Sequence, residues 1–380
     1  MFDIDHCIQI TGTGSYVPDH AVTNAALEDV VRNFDPESGP FTDWVDRVTH
    51  IHERRFLHQD KSAGDMARIA CERAVEDAGI DASEVELLIM ATFTTKNLYP
   101  GEQTQIAHEM GMKNAATFYL TAGCAGSIYG MHVALAFLRC GIYRNALVVG
   151  TEHLTHVTSM DDPVTAILFG DAAGAAVLSR RDEPGSGGVV TNCVLGSNFV
   201  PGNIHMDNAN VPALANQYVV ETEDGPKPAA LRHFVSMAGG PRVLRTAVNT
   251  MAEATVKSFG FTMKDLKQGN EELRALLDRA KVIPHQANGR IVDGLRDKLG
   301  VPDENMFKTV YLYGNPSCAS NLLTLDYALR RGNMERVLDD EGRVLTVKED
   351  VGETIASGDL VTIPTVGAGY LTGCFSYVVD

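Results

Sequence analysis

The sequence predicts an α/β protein in which one strand–turn–helix unit occurs twice. Short buried β-rich runs alternate with amphipathic helical patterns, which indicates βαβ units and a sheet covered by helices on both faces. The predicted strands of the first half lie at 86–92 and 146–150, and its predicted helices at 62–79, 101–111 and 124–141. Two more strands are expected to flank 170–174, between Thr165 and Ser179. The second half repeats a helix with a small-residue start and a Leu-Arg ending followed by Gly, at 317–332. We therefore expect two related halves whose turns face one cleft.

The chain divides into three parts by composition. Residues 1–180 hold the first α/β unit, and residues 231–380 hold the second. Between them, residues 181–230 are rich in Gly, Pro, Asn and Asp and have weak periodicity. We therefore expect this middle segment to be a long, irregular connection. Such loops are uncommon in compact domains unless they are functional or mobile.

Charge and cysteine content exclude several classes of protein. The 380 residues carry a formal net charge of -17, which argues against a nucleic-acid partner. Seven cysteines without a CxxC pair favour neither a disulfide framework nor a metal site such as zinc. The N-terminal residues are too polar for a signal peptide, and no apolar run approaches the roughly 18 residues of a membrane span. We expect a reducing, cytoplasmic location and no membrane association.

Cys124 lies in a sequence typical of a strand-to-helix junction. The β-rich run 116–120 precedes it, and a helical pattern with small residues at its start follows. Free N–H groups at a helix N-terminus favour an anion, so we expect this thiol to ionise easily and to act as a nucleophile. The alternative is a buried structural cysteine, which is equally compatible with this stretch alone.

Two later polar residues add to this chemistry. His285 follows a buried strand-like run, and Asn315 stands at the start of a predicted helix. Taken singly, each fits a structural role such as a helix cap. Together with Cys124 they form a set suited to acyl transfer, because histidine and asparagine can donate hydrogen bonds to an oxygen that gains charge. A papain-like protease would use the same residue types, but its signature around the cysteine is absent.

These motifs resemble the 3-oxoacyl-[acyl-carrier-protein] synthase III family of condensing enzymes. The resemblance covers nearly the whole chain and rests on the order of three motifs, with the histidine and the asparagine thirty positions apart. The matching stretches are Cys124-Ala125-Gly126, Pro284-His285-Gln286-Ala287-Asn288, Tyr313-Gly314-Asn315, Glu53-Arg54-Arg55 and Phe169–Ala176. The resemblance implies a thiolase-like fold of duplicated αβαβα layers.

The resemblance also implies a reaction. Cys124 would accept an acyl group from coenzyme A or an acyl carrier protein, and a malonyl thioester bound to either carrier would follow. His285 and Asn315 would stabilise the enolate formed as carbon dioxide leaves, and the backbone N–H groups of Cys124 and Gly369 would form the oxyanion hole. Neither a cofactor nor a metal is implied, and the expected assembly is a homodimer.

The resemblance also implies roles for residues outside these motifs, although some of the family's residues are replaced there. Trp44 matches a family residue that stacks on the coenzyme A adenine, and Asn288 matches a residue near the pantetheine arm. Tyr99 matches an aromatic residue that the partner subunit contributes to the acyl pocket. The family's other adenine-stacking residue, an arginine, is missing from the stretch 161–164, and a second cationic position is Val48.

Other departures also point to a specialised enzyme. Pro316 and His50 replace the usual Thr and Gly, and the segments 181–230 and 334–357 exceed the family length. These differences favour a specialised starter unit, such as a longer acyl primer or a secondary-metabolism substrate.

Three alternatives stay open at this point. An acyltransferase of the same fold would move the acyl group from Cys124 to a hydroxyl or amine. A non-decarboxylating condensation of two acyl thioesters would need a carboxylate base, for which Glu102 is a weak candidate. A non-catalytic partner subunit is disfavoured because such subunits typically lose the nucleophilic cysteine.

Overall fold

The computed structural model describes residues 3–199, 204–206, 219–222, 225–228, 234–237 and 240–380. The helices in this part of the chain are α1 (Asn24–Glu28), α2 (Phe41–Thr49), α3 (Ala63–Asp77), α4 (Glu102–Glu109), α5 (Gly126–Arg139), α6 (Pro163–Ala166), α7 (Gly240–Ser258), α8 (Met263–Lys267), α9 (Glu271–Arg279), α10 (Gly289–Leu299), α11 (Val310–Tyr313) and α12 (Ser320–Arg330).

The first sheet has five strands in the order β2-β8-β7-β5-β6. Their bounds are β2 (Ile8–Tyr16), β5 (Leu87–Ala91), β6 (Ala116–Leu120), β7 (Asn145–Glu152) and β8 (Ala172–Arg180). The strands β6, β5 and β7 are parallel, β8 is antiparallel to β7, and β2 is antiparallel to β8. Polar residues that follow β5, β6 and β7 therefore meet at one edge of this sheet.

The second sheet draws on both ends of the chain. Its strands follow the order β1-β9-β19-β18-β15, and β10 also pairs with β19. Their bounds are β1 (Ile4–Asp5), β9 (Gly188–Val190), β10 (Val194–Gly196), β15 (Lys281–Val282), β18 (Leu360–Val366) and β19 (Thr372–Val378). The N-terminal strand β1 thus pairs with β9, which lies in the segment 181–230.

The two sheets sandwich a central pair of helices, α5 and α12. Alternate residues of β5 point to opposite sides, as the pleat of a strand requires. Ile89 packs inward with Met131 of α5 and Leu325 of α12, whereas Leu88 packs outward with Ala70 of α3. Helices α7, α9 and α10 cover the outer face of the second sheet. The result is five layers, α–β–α–β–α.

Several short strands lie outside the two sheets. The remaining pairs are β3 (Ala21–Thr23) with β4 (Glu53–Arg55), β11 (Ile204–His205) with β14 (Ser236–Met237), β12 (Val219–Thr222) with β13 (Gly225–Pro228), and β16 (Asn333–Leu338) with β17 (Val344–Val351). The last pair is a hairpin that accounts for most of the long segment 334–357. It packs against α2, where Arg336 binds Asp46 through two contacts of 2.7 and 2.9 Å.

The predicted helices 62–79 and 101–111 are confirmed as α3 and α4. A capping box between Ser62 and Asp65 stabilises the N-terminus of α3. The middle segment 181–230 contributes β9 and β10 to the second sheet, and part of it lies outside the described residues. Residues 231–233 and 238–239, which precede α7 in the chain, also lie outside the described residues.

The turns that precede α5 and α12 have matching backbones, although the helix α11 and not the expected strand leads into the second turn. A 3₁₀ turn, Gly123–Ala125, precedes α5, and another, Ser317–Ala319, precedes α12. The first residue of each turn is left-handed, with φ of 52° at Gly123 and 49° at Ser317. Glycine adopts this conformation freely, whereas serine does so at a cost of roughly 1 kcal/mol. The predicted duplication is therefore visible in backbone angles as well as in sequence.

Candidate active site

Cys124 lies at the predicted junction, in the turn between β6 and α5. The residue is half-buried, and its sulfur accepts a hydrogen bond of 3.4 Å from the Ser317 hydroxyl of the second corner. Its carbonyl accepts a further bond of 3.3 Å from Thr365 Oγ1 at the end of β18. The second half of the molecule therefore holds the nucleophile that the first half supplies.

The expectation that this thiol ionises easily is wrong for the free protein. Burial raises the pKa of Cys124 to about 11, the Ser317 hydrogen bond lowers it in part, and the nearby charge of Glu152 raises it further. A buried thiolate loses hydration that the N-terminus of α5 does not fully replace. Substrate must therefore enter a site in which the thiol is neutral.

His285 is buried at the exit of β15 and held in one orientation. Its backbone N–H donates to Pro364 O at 2.9 Å, and Nδ1 lies 2.7 Å from Ser320 Oγ. Ser320 Oγ also accepts the backbone N–H of Gln286 at 3.3 Å, so its own hydrogen is free to point at Nδ1. This arrangement favours the tautomer with hydrogen on Nε2.

Burial lowers the pKa of His285 to about 3, so the ring is neutral near pH 7. No hydrogen bond to Nε2 occurs among the described residues, so this N–H can serve a ligand in the cleft. The geometry thus supplies the neutral donor that the resemblance requires.

Asn315 is fixed by the turn that follows it. Its Oδ1 accepts the backbone N–H of Ser317 at 2.8 Å, which identifies the oxygen and leaves Nδ2 as a second donor. Within the described part of the chain, Nδ2 has no hydrogen-bond partner. Ser317 and Ser320 lie three positions apart in the corner that starts α12, so this corner links Asn315, His285 and Cys124.

The loop after β18 lies against the Cys124 turn. A Cβ atom added to Gly367 would lie 3.1 Å from the nitrogens of Cys124 and Ala125 and 2.9 Å from Ala122 O. Gly369 in the same loop has a left-handed φ of 72°. This close approach brings the loop that carries Gly369 to the backbone of Cys124.

None of the three predicted binding residues hydrogen-bonds to this corner among the described contacts. Trp44 is half-buried on α2, with its ring 5.0 Å from that of Phe34. Asn288 caps α10 by accepting the N–H of Ile291 at 2.9 Å. Tyr99 is 94% exposed on the loop after β5.

The replaced family positions are accommodated locally. His50 ends α2 with a left-handed φ of 58° and places Nδ1 3.0 Å from Asp293 Oδ2. Asp162 caps α6, and Asp161 forms an ion pair of 2.5 Å with Arg32. The stretch 161–164 therefore presents carboxylates where the family has a cation.

Three residues that shape the site were not expected from the sequence: Ser317, Ser320 and Glu152. The repeat could have identified the two serines, because they lie within four residues of each other in the second copy of the corner. Glu152 had little signal, because an acid at the end of a buried strand usually marks the strand's exit to solvent. In the structure it is fully buried.

Neither a metal site nor a membrane helix was found in the described ranges. No three His, Cys, Asp or Glu side chains lie together in a way that could hold a metal ion. Likewise, none of the helices there combines the length and apolarity that a membrane crossing requires.

Comparison with known proteins places this site in a family. Residues 118–198 match the family described as 3-Oxoacyl-[acyl-carrier-protein (ACP)] synthase III, and residues 276–339 match its C-terminal region. The beta-ketoacyl-[acyl-carrier-protein] synthase III of Caldanaerobacter subterraneus subsp. tengcongensis is 33% identical over 352 residues, which span 92% of this chain and 96% of the relative. The chain belongs to the 3-oxoacyl-[acyl-carrier-protein] synthase III family.

Other synthase III relatives agree with this assignment. The beta-ketoacyl-[acyl-carrier-protein] synthase III of Alkalilimnicola ehrlichii is 31% identical over 369 residues, covering 96% of this chain and 97% of the relative. The crystal structure of the priming beta-ketosynthase from the R1128 polyketide biosynthetic pathway matches with a TM-score of 0.75 and 30% identity, over 98% of this chain and 96% of that one. The predicted thiolase-like fold is confirmed, and the protein is a condensing enzyme and acyltransferase of the synthase III type.

Proposed function

We propose that this synthase III catalyses a decarboxylative Claisen condensation in which Cys124 carries a specialised starter acyl group. The observation that carries the proposal is the second corner, where Ser317 and Ser320 hold a sulfur, a neutral histidine and an amide donor in one cleft. Such preorganised donors stabilise an oxygen that gains negative charge.

The first half-reaction charges the nucleophile. The Cys124 sulfur attacks the carbonyl of the incoming thioester, and the thiol of the donor leaves with the proton. The carbonyl oxygen becomes negative in the intermediate and is held by the N–H groups of Cys124 and Gly369. The bond from Ser317 to the sulfur offsets part of the cost of the thiolate.

The second half-reaction forms the carbon–carbon bond. A malonyl thioester loses carbon dioxide, and the electron pair of the broken bond forms an enolate. Nε2–H of His285 and Nδ2 of Asn315 donate to the enolate oxygen. The enolate carbon attacks the acyl carbonyl, the bond to Cys124 breaks, and a 3-oxoacyl thioester leaves.

A carrier-protein donor fits the charges of the cleft beside α2 better than coenzyme A. This cleft, of about 890 Å³, lies between α2 and the β16–β17 hairpin. Its formally charged lining residues are three cations and three carboxylates: Arg47, Arg336, Arg343, Asp43, Asp46 and Glu341. Arg336 is already paired with Asp46, so a nucleotide phosphate would find no excess positive charge there.

A homodimer would complete the acyl pocket. Strand β6 is the edge of the first sheet, and its residues Phe118, Tyr119 and Leu120 are only half-buried. An open edge strand of this kind is a template for pairing with a second copy. Tyr99, on the neighbouring loop, would then reach the partner's cleft.

The other reactions receive less support. Transfer to a hydroxyl or amine would leave the two donors at His285 and Asn315 without a role. In a non-decarboxylating condensation Glu102 would act as base, but its Oε2 is engaged by Lys96 N at 2.8 Å and Thr95 Oγ1 at 3.0 Å. The R1128 priming enzyme at 30% identity is consistent with a secondary-metabolism starter.

Intact-protein mass spectrometry tests the proposal. Wild type, Cys124→Ala and Cys140→Ala are incubated with a panel of acyl-coenzyme A and acyl-carrier-protein thioesters. We expect one acyl adduct, mainly from carrier-protein donors, on wild type and on Cys140→Ala but not on Cys124→Ala. Cys140 is an exposed thiol at the end of α5, so it controls for non-specific acylation.

Malonyl thioester is then added and carbon dioxide is measured. Release of carbon dioxide with formation of a 3-oxoacyl product supports condensation, whereas adduct turnover without carbon dioxide favours one of the other reactions. The absence of an adduct with every donor would refute the proposal.

A further inference from the structure

Glu152 is a buried carboxyl group to which the mechanism above gives no role. It ends β7, at the same sheet edge from which the chain passes into the Cys124 turn. Its Oε2 accepts from Thr94 Oγ1 at 2.6 Å and from Thr92 Oγ1 at 3.2 Å, and both oxygens lie 3.3 Å from the backbone nitrogen of Phe93. Four polar contacts with no ion pair in the described structure are an unusual setting for a glutamate.

Cys318 connects this carboxyl group to the catalytic corner. Its thiol donates to Glu152 Oε1 at 3.3 Å and lies 3.1 Å from Ala91 O. Cys318 directly follows Ser317, whose hydroxyl binds the Cys124 sulfur. A Cβ added to Gly126 would lie 3.3 Å from that of Cys318, so the two corners are in close contact here.

The titratable groups around Glu152 are few. Cys318 from the second corner and Cys124 from the first both interact with its charge, and the carboxyl group of Glu102 holds the same loop through Thr95 and Lys96. His153 is the next residue, but its ring is directed to Asp171, with 3.9 Å between Nε2 and Oδ2. A charge on Glu152 therefore acts on the two cysteines with no compensating cation.

We propose that Glu152 is a positioning residue that controls the charge beside the nucleophile, so that its neutral acid permits the Cys124 thiolate and its carboxylate opposes it. The inference rests on the proposed role of Cys124 as nucleophile. The two groups share one low-dielectric region, and like charges there do not both form readily.

Glu152 changes its protonation state near neutral pH. Burial raises its pKa to about 7, against the lowering effect of its hydrogen bonds from Thr94 and Cys318. As the pH rises through this value, the carboxylate forms and raises the pKa of the Cys124 thiol further. Before Cys124 is acylated, Glu152 would thus limit the reaction of its thiol with electrophiles other than the acyl donor.

The test is the pH dependence of iodoacetamide alkylation at Cys124, read by peptide mass spectrometry, in the full-length protein. Glu152→Gln removes the charge and keeps the shape. We expect its alkylation midpoint to fall by about one pH unit and its rate at pH 9, where wild-type Glu152 is ionised, to rise about tenfold. Glu102→Gln is the matched control, because Glu102 is also buried and holds the same loop; its midpoint should stay at the wild-type value.

A midpoint in Glu152→Gln that stays unchanged or rises overturns the inference, as does an equal shift in Glu102→Gln. If Glu152→Gln does not fold, Cys318→Ala replaces it: losing this donor raises the pKa of Glu152, so more of the carboxyl is neutral at pH 7–8 and the alkylation rate of Cys124 there should rise, by less than tenfold. An unchanged rate at pH 7–8 in Cys318→Ala then overturns the inference. Because alkylation needs no acyl substrate, failure of the proposed condensation would leave this result interpretable.

Discussion

Replacement of Ser320 by alanine tests the assigned state of His285. The variant removes the hydroxyl that lies 2.7 Å from Nδ1 and leaves the Gln286 N–H without its partner. A net contribution of about 0.5–1.5 kcal/mol for one neutral hydrogen bond corresponds to a loss of roughly 2- to 13-fold in rate if it is needed to keep Nε2–H in place. The unsatisfied N–H should also lower the free energy of unfolding by about 1–3 kcal/mol.

Two measurements separate the half-reactions. We expect Ser320→Ala to form the acyl-Cys124 adduct at the wild-type rate and to release carbon dioxide from malonyl thioester more slowly. Ser317→Ala is the matched control in the same corner, because its hydroxyl binds the sulfur instead of the imidazole. It should slow acylation and leave decarboxylation on pre-acylated enzyme nearly unchanged. Equal effects of both variants on both steps would refute the separate roles of the two serines.

Two further predictions concern the loop at Gly367 and the protonation of His285. Gly367→Ala would place a Cβ 2.9–3.1 Å from three backbone atoms of the Cys124 turn. We expect the free energy of unfolding, measured with urea, to fall by about 1–3 kcal/mol and the rate of acyl-adduct formation at Cys124 to fall as well. An unchanged acylation rate would contradict the described contact. The pKa of His285 in the folded protein, about 3, lies below its usual 6.5, so the unfolded chain binds an extra proton between these values. Stability should therefore fall by up to about 1.4 kcal/mol per pH unit below pH 6.5, and His285→Gln should weaken this dependence in urea unfolding at pH 7 and 5.5.

Local patterns in the sequence predicted much of the architecture. The Ser62 cap, the run before Cys124 and the repeated helix start are features of neighbouring residues, and the structure confirms them. Family motifs identified Cys124, His285 and Asn315 together, and the second corner links them. Such features are readable because capping and periodicity act over a few residues.

Properties that depend on distant residues were less accessible. The expected ease of ionisation of Cys124 followed from its place before a helix, but burial by both halves outweighs that effect. Two strands were expected to flank the motif at 170–174, whereas only β8 is present; Asp162 and Pro163 start the short helix α6 on the other side. The pairing of β1 with β9 joins segments about 185 positions apart and left no local signal.

The matching corners also show how two copies of one unit can diverge in reactivity. Cys124 and Cys318 occupy the same position in the same turn, each directly after a left-handed residue. Cys124 is partly open to the cleft, whereas Cys318 is enclosed by β5 and β7, and burial raises its pKa far above the usual range. Access therefore distinguishes the two thiols more than backbone geometry does. A second reactive centre in this protein would need a channel to Cys318 and no new turn, and a small electrophile should discriminate between the two sulfurs within one molecule.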